Sequence, residues 1–193
     1  MPRIDRASLM SLETYARERV QFRATVMAHK KDRTVSLGEH VTLLFEDELT
    51  IRYQVQEMLR VERIFEEQGI REELDAYNPL VPDGRNLKAT LMVEYPEPDE
   101  RRRKLEELIG IEDKVWVRVG NDERVWAIAD EDLDRETEEK TSSVHFLRFE
   151  LTEAMAGALK NGAALSMGVD HPRYAAVVET RPAVRDSLVK DLA

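Results

Sequence analysis

The segment Lys114–Ala129, KVWVRVGNDERVWAIA, carries two β-rich runs around the turn GNDE. Valine and tryptophan suit a pleated surface, while Gly120, Asn121 and Asp122 tolerate the backbone angles of a tight reversal. The segment therefore reads as an antiparallel hairpin. Pairing Val119 with Arg124 puts Val115, Val117, Trp126 and Ile128 on one face and Trp116 with Ala127 on the other. Both tryptophans are then structural.

The same alternation recurs elsewhere. Leu87, Ala89, Leu91, Val93 and Tyr95 alternate with Lys88, Thr90, Met92 and Glu94, so one face of this strand is buried. Ser143, His145, Leu147, Phe149 and Leu151 share a face in a second strand, and Leu165, Met167, Val169 and His171 in a third, which Pro172 is expected to end. RTVSLGEHVTLLFED reads as two short strands around Gly38. Helical spacing runs over residues 5–31, with Asp5 or Ser8 as N-cap, and over residues 50–68, with Gly69 as C-terminal cap. PEPDERRRKLEELIG and TEAMAGALKNG are further helices, the second capped by Thr152 and closed at Asn161-Gly162. TRPAVRDSLVKDL is an amphipathic helix started by Thr180. DAYNPLVPDG is dense in turn residues and reads as a loop, and DEDLDRETEEK as a surface connection or irregular helix.

This order of elements predicts an α+β fold, mainly an antiparallel sheet of about six or seven strands with helices packed on one face. A chain of 193 residues fits one domain, 1–193, with an N-terminal helical segment (1–31), a sheet-containing core (32–171) and a C-terminal helix (172–193). No fixed-period repeat is visible.

Composition excludes several functions. The chain has no cysteine, so it can form no disulfide, thiol nucleophile, thiolate zinc site or protein-ligated iron–sulfur cluster. Its 39 acidic against 29 basic residues, a formal charge of -10, disfavour nucleic acid as a partner. Arg101, Arg102, Arg103 and Lys104 read as the solvated face of a helix anchored by Leu105, Leu108 and Ile109. No apolar run approaches the roughly 20 residues of a membrane span, and the polar start lacks a secretory signal, so the expected location is the cytoplasm. Walker-type phosphate loops, dinucleotide fingerprints and the Gly-x-Ser-x-Gly elbow are missing. Ser143 and His145 share a strand face without a third catalytic group.

A few polar residues break the apolar pattern. On a helix through residues 50–68, with Ile51 at 0°, Glu62 falls at about 20°, between Val55 at about 40° and Met58 at about 340°. A buried carboxylate there needs a cation, a metal, hydrogen bonds or a raised pKa. His145 and His171 extend two apolar strand faces. If Glu62, His145 and His171 converge, with His40 near the Gly38 turn as a further ligand, they could hold iron, manganese or zinc. The plainer alternative neutralises Glu62 with an arginine or histidine from the sheet and leaves the histidines bonded to nearby backbone. On that reading Glu62→Ala costs about 3–5 kcal/mol. The polar loop residues Tyr77, Asn78, Asp83, Arg85 and Lys88 form a candidate ligand-binding set.

The runs LLFEDELTIRYQVQEMLRVERIFEEQGIREELDAYNPLVPDGRNLKATLMVEYP (43–96), IEDKVWV (111–117), VWAIADEDL (125–133), KTSSVHFLRFEL (140–151) and DHPRY (170–174) resemble an uncharacterised bacterial family, domain of unknown function 3501. The likeness extends from about Leu9 to His171. No activity or catalytic residue is established for that family. Its members tend to be encoded near rubrerythrin and an iron–sulfur oxidoreductase, so the resemblance implies a redox or peroxide-stress setting with one of these as partner. The combined reading is a non-catalytic accessory or binding subunit. A histidine/carboxylate metal protein or metalloenzyme, a small-molecule binding domain and a homodimer stay open as alternatives.

Overall fold

A computed structural model describes residues 3–193. Strands β1 (Thr34–Ser36), β2 (Val41–Phe45), β3 (Asn86–Val93), β4 (Val115–Val119), β5 (Val125–Trp126), β6 (Ile128–Ala129), β7 (Val144–Glu150), β8 (Leu165–His171) and β9 (Tyr174–Glu179) alternate with helices α1 (Leu12–Lys30), α2 (Glu48–Val61), α3 (Glu67–Tyr77), α4 (Pro98–Glu107), α5 (Glu153–Lys160) and α6 (Pro182–Leu188). The α+β class is as expected, and every strand pair is antiparallel. The single sheet is not. The strands divide into a five-stranded sheet, β1-β2-β3-β7-β6, and a four-stranded sheet, β5-β4-β8-β9.

The division is made inside the hairpin segment. Trp126 pairs with Trp116, and the Ala127 N–H still bonds the Val115 carbonyl, but Ile128 and Ala129 pair with Arg148 and Leu147 of β7. One short run thus leaves one sheet and enters the other, a way for stacked sheets to share a corner. The register also differs by one residue from the expected pairing, because the turn takes up Gly120–Arg124 and Val125 lies opposite Val117. Both tryptophans consequently share a face. Trp116 is buried, whereas Trp126 is 44% exposed.

The strand alternations hold. Leu91 faces His145 across the β3–β7 ladder, Ala89 faces Leu147 and Leu87 faces Phe149, all on the buried side. These residues join Leu43, Val117, Met167 and Val169 in one apolar core between the two sheets. Pro172 ends β8 but does not start a helix: His171 and Tyr174 pair across a two-residue reversal, and β9 precedes α6. The C-terminal segment therefore contributes an edge strand as well as its helix. Thr180 does not cap that helix; its hydroxyl donates to the Leu165 carbonyl at 2.9 Å, and Arg181 is the N-cap residue.

The helical half departs from expectation in an informative way. Ser11, rather than Asp5 or Ser8, caps α1, while Asp5 caps a short 3-10 turn over Arg6–Ser8. The predicted helix over 50–68 is two helices. Asp47 and Thr50 form a reciprocal capping box at the start of α2, which stops after Val61. Arg63 takes a left-handed backbone, φ 55°, and the Ile64 N–H reaches back to the Leu59 carbonyl at 2.9 Å. This is a Schellman closure without its usual glycine. The sequence signal was hidden because Gly69, the only glycine nearby, lies inside α3. α3 then runs through Tyr77, so the expected loop begins later. Ile51, Val55, Leu59, Ile70 and Leu74 from α2 and α3 pack with Ile4 and Leu9 in a second, smaller apolar cluster.

α1 is tied to α2 by Glu57, whose carboxylate accepts from the Tyr15 hydroxyl at 2.7 Å and from the Arg19 guanidinium at 2.7 and 2.8 Å. Those bonds, the Arg19 pair above all, hold Glu57 down to about 2. At the other end of α1, the buried Arg33 donates to the Phe45 carbonyl at 2.9 Å, the Glu46 carbonyl at 3.0 Å and the Asp191 carboxylate at 2.5 Å. Residues 130–140 form a surface connection with no helix beyond the end of β6. Among the described residues no helix is long and apolar enough to cross a membrane.

Gly168 in β8 lies under the Trp116 ring. A Cβ there would come within 2.5 Å of the indole and 2.7 Å of the Ala176 carbonyl oxygen, a backbone atom that cannot turn aside. Gly168→Ala is expected to destabilise the fold by about 1–3 kcal/mol through overpacking. Urea denaturation checks this, and an unchanged midpoint would contradict the placement of Trp116 across β8.

Candidate functional site

The four candidate metal ligands do not assemble. Glu62 is the C-cap residue of α2 and is exposed, because the helical period that centred it on the apolar stripe ends one residue earlier. Its charge acts on Glu73, whose carboxyl is raised by burial and then by the like charge of Glu62. His171 donates from Nε2 to the Ile109 carbonyl at 3.0 Å and accepts the Arg173 N–H on Nδ1 at 3.2 Å, which satisfies both ring nitrogens and fixes the β8–β9 reversal. His40 donates from Nδ1 to the Glu94 carbonyl at 3.0 Å and stacks on Tyr95 at 4.0 Å. Both meet backbone, as the plainer alternative requires.

His145 has acidic company. It is fully buried, with Nδ1 at 2.6 Å from the Asp130 carboxylate and Nε2 at 3.7 Å from Glu112. Among the described residues, Glu112, Asp130 and His145 are the one group of three or more histidines and carboxylates whose ligand atoms lie within 4.8 Å of one another. Asp130 follows β6 with φ 47°, a left-handed backbone that aspartate tolerates better than most residues. That bend lets its carboxylate accept the Phe146 N–H at 2.9 Å and Arg135 at 3.0 Å besides the imidazole. Burial, the largest influence, raises the Glu112 carboxyl despite the His145 ring beside it.

The candidate ligand loop divides between two roles. Asn78 exchanges hydrogen bonds with the Ile4 backbone at 2.9 and 3.0 Å, and Asp83 accepts the Arg85 N–H at 3.0 Å to shape the turn. Arg85 is exposed, and with Asp83 it borders a separate groove beside the C-terminus. Tyr77 and Lys88 do line a substantial cleft. Its volume is about 440 Å³, within the range of small-molecule sites. One wall is helical, from Met58, Glu73, Ala76 and Tyr77; the floor is the sheet, from Lys88, Ala89, Phe146, Leu147 and Arg148. The connector supplies Glu131, Asp132 and Arg135 along one margin.

Charge in this cleft is uneven. Arg148 is held by Glu131 through two parallel bonds of 2.9 Å and by Glu150 at 2.6 Å. Arg135 grips Asp132 at 2.6 and 2.7 Å and lies 4.6 Å over the Phe146 ring. The buried Glu46 carboxylate accepts from the Thr50 and Thr90 hydroxyls at 2.5 and 2.6 Å. Lys88 differs. Its ammonium donates to the Pro79 carbonyl, and among the described residues no carboxylate comes within 4.0 Å of it. Burial lowers its pKa; Asp83, Glu131 and Glu150 oppose the shift, and Arg148, directly across the ladder, adds to it.

Glu46, Phe146, Arg148, Glu131 and Arg135 escaped the sequence reading, as did Glu112, Asp130 and Thr141. Arg148 and Phe146 carried a signal, since alternation put them with Lys88 on the outer side of the sheet. The acids carried none, because they lie between elements, Glu46 and Asp130 just after strands, Glu131 in the connector and Glu112 in a short 3-10 turn, where acids are ordinary.

The family model described as "Protein of unknown function (DUF3501)" matches residues 3–192. The match therefore includes the C-terminal segment where the motif resemblance weakens. Among solved structures, a crystal structure of a novel protein of unknown function from Burkholderia pseudomallei K96243 is similar at 57% identity, covers 100% of both chains and superposes with a TM-score of 0.95. No curated protein matches the chain.

The exposure of Glu62 reverses the expected cost of removing it. Glu62→Ala should leave stability within about 0.5 kcal/mol of wild type, as for other surface substitutions. A loss of about 3 kcal/mol in chemical denaturation would show that Glu62 is buried after all.

Proposed function

Because the chain belongs to the DUF3501 family, whose description assigns no activity, we propose from the site alone that it is a non-catalytic binding domain for a small organic anion. The observation that carries this reading is Lys88, a half-buried cation with no carboxylate in contact among the described residues, set in a cleft whose other cations are neutralised. Taking an ammonium partly out of water without a carboxylate in contact is unfavourable, and the carboxylates nearest to it, Glu131 and Glu150, are already committed to Arg148. An anionic ligand offsets that cost. Its apolar body would rest on Phe146, Leu147, Ala89 and Met58.

One class of catalysis, the imidazole-activated hydroxyl or thiol, finds no support in the lining. None of the cleft residues is a serine, cysteine or histidine, so no hydroxyl or thiol nucleophile faces an imidazole base there. The accessory role in a redox or peroxide-stress system, linked to rubrerythrin or an iron–sulfur oxidoreductase, extends the same reading. It is supported by the family resemblance and by the lack of cysteine, which leaves any iron–sulfur chemistry to a partner.

The dye 8-anilinonaphthalene-1-sulfonate, an apolar ring system with one anionic group, is a suitable probe. Wild type is expected to bind it saturably with one site per chain. Lys88→Gln should bind it about tenfold more weakly or worse, since a charge-assisted bond contributes about 1.5–3 kcal/mol. Phe146→Ala should weaken binding without changing its salt dependence. Equal affinity of wild type and Lys88→Gln, measured by fluorescence titration, would overturn the proposal.

A further inference from the structure

Arg135 supplies a positive centre on the Asp130 side of His145, at 3.0 Å from that carboxylate, but among the described residues no lysine or arginine reaches the groups on the Nε2 side. With the Nδ1 hydrogen committed to Asp130 at 2.6 Å, a neutral ring presents Nε2 as an acceptor. Around Nε2 lie the Thr141 hydroxyl at 2.9 Å, the Ser142 carbonyl oxygen at 3.1 Å and the Glu112 carboxylate at 3.7 Å. The Thr141 hydroxyl is also 3.3 Å from Glu112. Two acceptors, Nε2 and Glu112, therefore compete for one hydroxyl hydrogen, while the Ser142 carbonyl faces Nε2 as a further acceptor. All of this is inside the protein, where Thr141 and His145 are 2% and 0% exposed. Acceptors left facing one another without a donor are costly there.

We propose that the gap is filled by a divalent first-row cation, manganese or ferrous iron, bound by His145 Nε2, Glu112, the Thr141 hydroxyl and the Ser142 carbonyl. The spacing fits. Ligand atoms at about 2.1 Å from one metal are about 3.0 Å apart at adjacent octahedral corners and about 3.4 Å apart in a tetrahedron. Of the six separations among these four atoms, the three to Nε2 and that between Thr141 and Glu112 are 2.9, 3.1, 3.7 and 3.3 Å, close to those values. One imidazole among oxygen donors suits manganese or iron better than a thiophilic metal. Asp130 then orients the imidazole through Nδ1, as a carboxylate behind a metal-bound histidine does. A groove bordered by Glu112 and Asp130 is lined further by Asp113, Asp134, Glu136 and Glu138, with Arg135 as the opposing charge. Its excess of carboxylates draws cations toward Glu112.

The competing occupant of the gap is a proton, which would make His145 a buried imidazolium, and the experiment separates the two. Protein purified without a histidine tag and stripped with chelator is titrated with Mn²⁺, free metal being read by electron paramagnetic resonance. One Mn²⁺ per chain is expected in wild type. Glu112→Gln should bind at least about tenfold more weakly, and Asp130→Asn about 10–100-fold more weakly. Because either variant could lose its fold, wild type also carries its own control. Substoichiometric Mn²⁺ should broaden the His145 imidazole resonances before those of His29, His40 and His171. No stoichiometric uptake, undiminished binding by a folded Glu112→Gln, or broadening centred instead on the exposed acids of the connector would each overturn the proposal.

Discussion

Arg33 is the group on which the arrangement depends. Its guanidinium is 1% exposed and reaches the Phe45 and Glu46 carbonyls, the Ser187 carbonyl and hydroxyl, and the carboxylates of Asp47 and Asp191. Few side chains could do this; the planar fork of arginine presents five donors in fixed directions, and it stays charged when buried. The bonds join the end of α1, the passage from β2 into α2, and the turn after α6. A buried cation of this kind adds little net stability over a well-packed apolar core, but its loss would strand two acids and several carbonyls. What it gives is position.

The functional geometry follows from that position. Glu46 and Asp47 are consecutive residues at the β2–α2 passage. Asp47 turns to cap α2, while Glu46 turns toward the sheet and the cleft. The helices α2 and α3 bury their apolar sides with the N-terminal segment in a cluster separate from the core between the sheets. Two cores with separate memberships leave a gap between the helical cluster and the outer side of β3 and β7. Lys88 projects into it from the side of β3 that cannot be buried in the main core.

Legibility in the sequence tracked the range of the interactions. The alternations in β3, β7 and β8 were readable because neighbouring residues in a strand face opposite ways whatever their partners. The helix caps at Thr152 and the closure at Asn161-Gly162 were likewise local. Glu62 was misplaced by a single residue, Arg63, which adopts a conformation that sequence rules reserve mainly for glycine and asparagine. The exchange of sheets at Ala127 was invisible, since the run Val125–Ala129 has the same β character on either side of it. His145 was singled out correctly as a polar residue on an apolar face, but its acids come from positions 112 and 130, brought together only by the meeting of two sheets.

If Lys88 is a half-buried cation kept for an anion, the titration of that one ammonium reports it. Nuclear magnetic resonance of the lysine side chains, assigned with Lys88→Arg, gives its titration with and without a bound organic anion. Lys88 is expected to titrate below the ordinary lysine value of 10.5 in the free protein and to move back upward when the anion binds. Titration of Lys88 together with the surface lysines, unmoved by the anion, would contradict it.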